Sequence, residues 1–489
     1  MPLQLFNTLS GKTETFEPSE DKLVRMYSCG PTVYDYGHIG NFRTFIMVDL
    51  LRRFLRQSGY KLKHVMNITD VDDKIIRNAA KEHLDTRTYT HKYEQAFLED
   101  SRILNLEPPE IMARATEHIS EMAEFIAALV KKGYAYRTDD GSYYFRIARF
   151  PEYGKLSKKD LAGMEDGARV DLDEYEKDSA RDFALWKAPK PDEAQWQTSI
   201  GPGRPGWHIE CSVMAMKYLG ESFDMHLGGE DLIFPHHENE IAQSEALTGK
   251  PFVRFWVHIR FLLVEGKKMS KSLGNFYTLR DLILLGHKPS SIRYLLASVP
   301  YRRQLNFTFD GLKQAAASVE RLRDFKLRLE TGHFPEIGSP EFAELAKTGL
   351  QKMRTALEDD LNTAEALAAI FEMVRQANAA ADAGKLGRNH VTQLQQTLEE
   401  FDQIFDVVRE NDAEKIREII EWAQVQGKEI KISVSGNHIS DAQVEALVGE
   451  RNAAKKLRDF ARSDAIRKQL AEAGIILEDT KDGVRWKRQ

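Results

Sequence analysis

The sequence predicts an α/β protein: a parallel sheet with helical crossovers, split by an insertion, then an α-helical bundle and a small mixed C-terminal unit. Three observations predict it. Strand-length apolar runs alternate with helical patterns over residues 23–74. That alternation resumes over 207–264, after a loop-rich stretch. From about residue 290 the apolar residues recur at helical spacing alone.

In order, residues 1–22 are a polar lead-in and Leu23 to Ser28 reads as a short strand. Cys29 to Asn41, CGPTVYDYGHIGN, is a turn into a helix over 42–56. A helix N-terminus offers unpaired N–H groups and partial positive charge, which suit a phosphate. Gly37 and Gly40 would let a ligand approach the backbone there. Lys61 to Ile68 reads as a second strand, and Thr69 to Lys74 opens a helix that Thr69 or Asp70 would cap. Ligands of parallel sheets collect at the carboxyl ends of strands, where Cys29 and Thr69 both fall. Residues 80–135 read as mainly helical, broken at Pro108-Pro109. Gly141 to Arg146 reads as a strand and 150–205 as loop-rich, so roughly 110–200 interrupts the sheet.

The second half of the sheet begins with a helix from Trp207 to Tyr218 and a strand from Phe223 to Leu227. Gly228 to Asp231 is a turn, and a helix starts near Pro235. Phe255 to Val264 is β-rich, and Glu265-Gly266 turns it into a basic, small-residue loop, Lys267 to Asn275. Ala315 to Leu329 and Ala364 to Ala381 are amphipathic bundle helices. Residues 413–489 form a smaller charged unit whose segments 474–479 and 483–486 would pair as a hairpin.

A chain of 489 residues accommodates about three domains. No apolar run is long enough to span a bilayer and the first residues lack signal-peptide regions, so the reading is cytoplasmic, with no membrane. Two cysteines exclude a disulfide framework. Net charge is −6, yet residues 451–489 hold eleven Lys/Arg against six Asp/Glu, a basic end compatible with an RNA contact.

Two constellations carry chemistry. Cys29 and Cys211 are the only thiols, and Pro235-His236-His237-Glu238-Asn239-Glu240 lies downstream. His236 and Glu240 share a helix face at i, i+4, while His237 and Glu240 would converge at i, i+3, so spacing leaves the histidine open. Two thiolates, an imidazole and a carboxylate suit zinc better than magnesium or calcium. The second constellation would grip a triphosphate from two sides: the helix start with His38, and the loop with Lys268 and Lys271. Gly228, Gly229 and Asp231 would serve adenosine, through close backbone approach and a carboxylate on ribose hydroxyls.

These residues resemble one family from Phe6 to Trp486, the cysteinyl-tRNA synthetases of class I. The resemblance rests on CGPTVYDYGHIGNFRTF (29–45), NITDVDDKI (67–75), RPGWHIECS (204–212), LGGEDLIFPHHENEIAQSEA (227–246) and KKMSKSLGNF (267–276). It implies a zinc ion held by Cys29, Cys211, His236 and Glu240, which chooses between the histidines. It implies a Rossmann-type catalytic domain over 1–110 and 201–265, a connective insertion over 111–200, and a KMSKS loop and stem-contact linker over 266–310. A helical bundle over 311–412 and an anticodon-binding domain over 413–489 would follow. The fourth position of its HIGH signature is Asn41 here, an amide that cannot carry the charge of imidazolium.

The implied reaction activates L-cysteine with ATP and Mg²⁺ to cysteinyl-adenylate, then transfers it to the terminal ribose of tRNA-Cys. His38, Asn41, Lys268 and Lys271 would be catalytic. Gly30, Thr69 and Trp207 would line the amino-acid pocket, Trp207 by packing and Thr69 by hydrogen bonding. Capture of sulfur by zinc would separate cysteine from serine without an editing domain. The family implies a monomer. A ligase passing cysteine to a small amine shares the sheet domain, but has no use for the basic C-terminal unit.

Overall fold

The computed structural model describes residues 2–158, 181–190, 193–430, 441–456, 458–472, 475–480 and 483–488. Its centre is a five-stranded sheet of β1 (Leu23–Ser28), β2 (Lys61–Ile68), β3 (Ile111–Arg114), β4 (Phe223–Gly229) and β5 (Val253–Ile259). The order is β5-β4-β1-β2-β3, and every pair is parallel. Helix α1 (Ile39–Gln57) carries the chain from β1 to β2, and α2 (Asp73–Lys81) with α3 (Thr86–Ile103) carries it to β3. Helix α4 (Ile119–Lys131) follows, then the insertion. Helix α5 (Trp207–Leu219) leads into β4, and α6 (Glu238–Thr248) joins β4 to β5. The strand order reverses between β1 and β4, which makes that point of the carboxyl edge the place for a ligand.

Strands β1, β2 and β4, and helix α5, fall where the sequence predicts them. In the lead-in, 4–7 and 12–15 pair as an antiparallel hairpin, and β5 ends at Ile259 rather than Val264; three further elements differ. β3 lies in a stretch read as helical, and pairs Ile111 to Arg114 with Val65 to Ile68 as an edge strand. Helix α1 begins at Ile39 rather than 42. Helix α2 is capped by Asp72, whose side chain accepts from the Lys74 N–H. Thr69 and Asp70 are unavailable for that cap, because Thr69 donates to Glu210 and Asp70 accepts from Thr116.

The insertion contains a second, antiparallel sheet, in the order 135–137, 143–145, 183–187, 201–205, 196–198. Asp73 of α2 ties it to the catalytic sheet through Lys187 at 2.9 Å and Arg204 at 2.7 Å. The sheet thus begins inside 111–200, at 135, and extends past its C-terminal bound to 205. Residues 159–180, within the stretch read as loop-rich, lie outside the described residues.

Beyond the sheet, α7 (Leu279–Leu284) and α8 (Pro289–Ala297) precede α9 (Phe309–Thr331), α10 (Leu345–Glu358), α11 (Thr363–Asp382), α12 (Arg388–Phe405) and α13 (Asp412–Val425). One apolar core runs continuously from α1 and the sheet into these helices, and a second lies under α4, α5, α6 and the insertion. Buried Arg293 of α8 pairs with Asp49 of α1 at 2.6 Å, which fixes the bundle to the helix that starts at the site. Helix α13 belongs to the same core, since Ile419, Ile420 and Ala423 are buried in it and Asp412 accepts from Ser290. A separate small core of Val444, Val448, Ile466, Leu470, Ile475 and Leu477 holds the C-terminal unit, where Ile475–Thr480 pairs antiparallel with Gly483–Arg488 as the sequence predicts. Gly474, the first residue of that predicted hairpin, lies outside the described residues. Among the described residues, no helix is long and apolar enough to cross a membrane.

Candidate active site and metal-donor cluster

Cys29 follows β1 and its N–H donates to Leu227 of β4, which seats the thiol at the point where the strand order reverses. Cys211 lies in the second turn of α5, and His236 and Glu240 come from the turn after β4 and the start of α6. Ligand atoms of Cys29, Cys211, His236 and Glu240 all lie within 4.8 Å of one another, and all four residues are buried. A second group, Cys29, His226, His237 and Glu240, meets the same criterion and overlaps the first.

The surrounding bonds differ between the two groups in what the histidine faces. His226 Nε2 is 2.9 Å from Glu240 Oε2, and His208 Nδ1 is 2.9 Å from His236 Nδ1. His237 Nε2 is 3.3 Å from Cys29 Sγ, and its Nδ1 meets His258 Nε2, which continues to Thr8 Oγ1. His237 is therefore engaged at both nitrogens. His236 instead turns its Nε2 to 3.0 Å from Glu240 Oε1, an oxygen that accepts no properly directed hydrogen bond. A buried carboxylate oxygen without a donor, facing an imidazole nitrogen and two thiols, is what a cation-binding set requires. Were the first group to hold a cation, His226, His208 and His237 would orient Glu240, His236 and Cys29 respectively.

Electrostatics agree. Burial works against its charge, yet His226 and His236 hold Glu240 down to about 2. Burial likewise opposes ionised His236, but Glu240 and Cys211 push it up to about 10. Burial and the neighbouring Cys211 raise Cys29, whereas Cys211 is held down, against burial, by Cys29 and His236. The donor set thus carries negative charge that a cation would neutralise, and a coordinated thiol is deprotonated outright.

The second constellation assembles at the start of α1. His38 caps the helix: its Nδ1 accepts from Asn41 N–H at 3.2 Å, while Asn41 Oδ1 accepts from His38 N–H at 3.1 Å. Asn41 thereby has a defined role, as the reciprocal half of a capping box. Burial, helped by Lys271, lowers His38 to about 4, so the ring is neutral at physiological pH and presents an Nε2–H donor rather than a cation. Ile39 N–H donates to Tyr277 O, and His38 bridges Thr278, which draws the Lys267–Asn275 loop alongside the turn. Lys271 sits 2.5 Å from Asp35 and over Phe276, whose ring packs edge-on against His38. Lys268 is exposed in a short hairpin with Leu263. Asn41→Ala is expected to lower stability by about 1 kcal/mol, read as a fall in thermal midpoint, with Asn41→Asp retaining it; an unchanged midpoint in Asn41→Ala would contradict the cap.

The other expected residues are placed as follows. Trp207 stacks on His236 at 4.1 Å and remains 39% exposed, a rim position beside the donors. Thr69 is buried with its hydroxyl committed to Glu210. The glycines answer to the protein itself: a Cβ at Gly37 would strike Phe42, at Gly40 the His38 ring, at Gly228 the His237 ring and at Gly229 the Asp231 carboxylate. The partners that sequence reasoning missed are His226, His258, Asn67 and Glu210. The first two stand in the apolar strands FDMHLGG and FWVHI, and a polar ring inside an apolar strand is the available signal.

Comparison with known proteins fits this geometry. Residues 15–317 match the family described as tRNA synthetases class I (C) catalytic domain, and 352–409 match a DALR domain. A methionyl-tRNA synthetase from Mycobacterium tuberculosis, solved with methionyl-adenylate, has a similar fold: TM-score 0.59 at 15% identity, over 82% of this chain and 93% of that one. The protein is a class I aminoacyl-tRNA synthetase. Residues 440–486 match the cysteinyl-tRNA ligase anticodon binding domain. A cysteine–tRNA ligase of Koribacter versatilis (strain Ellin345) is 67% identical across the whole of both chains, and that of Solibacter usitatus (strain Ellin6076) is 58% identical, again over both in full. The chain belongs to the cysteine–tRNA ligases, enzymes whose substrates are cysteine, ATP and tRNA.

Proposed function

We propose that Cys29, Cys211, His236 and Glu240 hold one zinc ion that selects L-cysteine by its sulfur, and that the start of α1 and the Lys268/Lys271 loop close on ATP beside it. The single observation that carries this is the donor set itself: two buried thiols, an imidazole and an orphaned carboxylate oxygen at the strand-order reversal. When bound, zinc supplies a soft position that a thiolate occupies and a hydroxyl does not. His226, His208 and His237 hold the donors in orientation, and Trp207 covers the rim next to His236.

The carboxylate of cysteine attacks the α-phosphorus of ATP, forming the mixed anhydride and releasing pyrophosphate. A ribose hydroxyl at the 3′ end of tRNA-Cys then attacks the acyl carbon, and AMP leaves. His38 donates from neutral Nε2–H to phosphate oxygen, and the positive end of the α1 dipole favours the same charge. Lys268 and Lys271 add positive charge from the loop, and Mg²⁺ accompanies the nucleotide. Gly37 and Gly40 lie at this seat. Gly228, Gly229 and Asp231 lie at the end of β4, on the adenosine side, and Gly30 lines the amino-acid side. The four donors come from one chain, so the set is complete without a second copy; likeness to the family supports a monomer acting in the cytoplasm.

The test is ATP–pyrophosphate exchange with cysteine and with serine, before and after treatment with a zinc chelator. Exchange is expected with cysteine, at least a hundredfold less with serine, and none after chelation until zinc is restored. Discrimination that survives complete metal removal would refute the reading.

A further inference from the structure

We propose that Asn67, Thr69 and Glu210 form a buried positioning bridge that fixes the two thiols of the donor set relative to each other. The inference rests on the metal reading above and deepens it. Cys29 and Cys211 belong to segments that no turn or strand pairing connects directly: one is the exit of β1, the other a turn inside α5. Three hydrogen bonds span the gap. Gly30 N–H donates to Asn67 Oδ1 at 2.9 Å. Asn67 Nδ2 donates to Thr69 Oγ1 at 3.1 Å. Thr69 Oγ1 donates to Glu210 Oε2 at 2.8 Å. The residues at the two ends, Gly30 and Glu210, each adjoin a thiol-bearing residue, Cys29 and Cys211.

The direction of every bond follows from the first. A backbone N–H can only donate, so Asn67 presents its oxygen to Gly30 and must send its NH₂ the other way. The Thr69 hydroxyl therefore accepts from Asn67 and has one proton left, which goes to Glu210. Asn67, Thr69 and Glu210 are at most 2% exposed, so water cannot substitute for a missing link. Among the described residues Glu210 Oε1 has no hydrogen-bond partner, which leaves Thr69 as the bond that orients this carboxylate. The backbone reinforces the clasp: Thr69 N–H donates to Pro31 O, and Val33 N–H donates to Thr69 O. The approach is so close that a Cβ at residue 30 would lie 1.8 Å from Asn67 O, which restricts the position beside Cys29 to glycine.

These are positioning residues. Asn67→Asp is nearly isosteric but reverses the chain: the new carboxylate claims the Thr69 proton and Glu210 is left without a donor. Glu210→Ala removes the terminus, whereas Glu210→Gln keeps an oxygen for Thr69. Outer partners of metal ligands typically contribute 10- to 100-fold in affinity. The experiment measures zinc release to a chromophoric chelator from the full-length protein, together with KM for cysteine and for ATP. Asn67→Asp and Glu210→Ala are expected to release zinc at least tenfold faster and to raise KM for cysteine by a similar factor. KM for ATP should stay within twofold, and Glu210→Gln within threefold of the parent on every readout. A lowered thermal midpoint with unchanged zinc release and cysteine KM would overturn the bridge. Should Glu210→Ala fail to fold, Asn67→Asp decides alone, by the same two readouts. A parent protein that holds no zinc refutes the metal reading; a parent that holds it beside variants that release it at the parent rate refutes only the bridge.

Discussion

Cys211→Ser is expected to abolish stoichiometric zinc binding and to lower cysteine-dependent pyrophosphate exchange by at least about 10³-fold, on the order of 4 kcal/mol of transition-state stabilisation. The reason is the chemistry of the donor atom. Cys211 is held below the usual thiol range, against burial, by Cys29 and His236, so its sulfur is disposed toward the thiolate. A serine hydroxyl at the same place stays protonated and is a hard, weak donor, leaving one thiol, one imidazole and one carboxylate. Outer-shell partners contribute up to about 100-fold, and a direct donor contributes more. The substitution is nearly isosteric, so α5, packed in the second core through Ile209, Val213 and Met214, should keep its place. ATP affinity and the far-ultraviolet helical signal are therefore expected to be unchanged, which separates loss of the donor from loss of the fold. Serine should not become a substrate, since the variant loses an anchor without gaining one for oxygen. Full zinc occupancy with normal exchange in Cys211→Ser would remove this residue from the donor set.

Much of the catalytic sheet is legible because β1, β2 and β4 are apolar runs bounded by turn residues, and their period survives burial. β3 is not, because a four-residue edge strand is specified by its register against Val65 to Ile68 rather than by its own pattern. The start of α1 is missed for a related reason: His38 and Asn41 cap each other through side chains, and Gly40 adds nothing to an apolar period. The cap of α2 shows the converse. Thr69 and Asp70 have the right side chains, but Glu210 and Thr116, 141 and 46 residues away, take them. In the site, residue type and helical spacing identify both thiols and Glu240. They cannot choose between His236 and His237, because both are buried at workable spacing, and what distinguishes them, contacts with His208 and His258, comes from other elements. Those two read locally as core residues, and only the fold reveals what they orient.

Lys271→Ala is expected to slow adenylate formation by about 10²- to 10³-fold, the range for removing one preorganised donor from a developing charge, and to leave zinc content and KM for cysteine unaltered. Lys271 is 65% exposed and its 2.5 Å pair with Asp35 lies at the surface, so its loss costs little stability. Its effect on rate comes from position. The pairing of Ile39 with Tyr277 and of His38 with Thr278 brings the loop alongside the start of α1. His38 there is neutral because burial, with Lys271, lowers it to about 4, so it offers a hydrogen bond and no net charge. With His38 neutral, the side-chain cation nearest the turn is that of Lys271, which Asp35 holds there, and it would add to the charge of the Mg²⁺ that accompanies the nucleotide. When pyrophosphate begins to leave, the ammonium exchanges a single surface carboxylate for oxygens carrying more charge, an interaction stronger in the transition state than in the ground state. Lys271→Arg should recover part of the rate, since the charge returns on a longer, planar group. Pre-steady-state adenylate formation measures the step directly, and a rate within threefold of the parent in Lys271→Ala would show that the charge is supplied elsewhere.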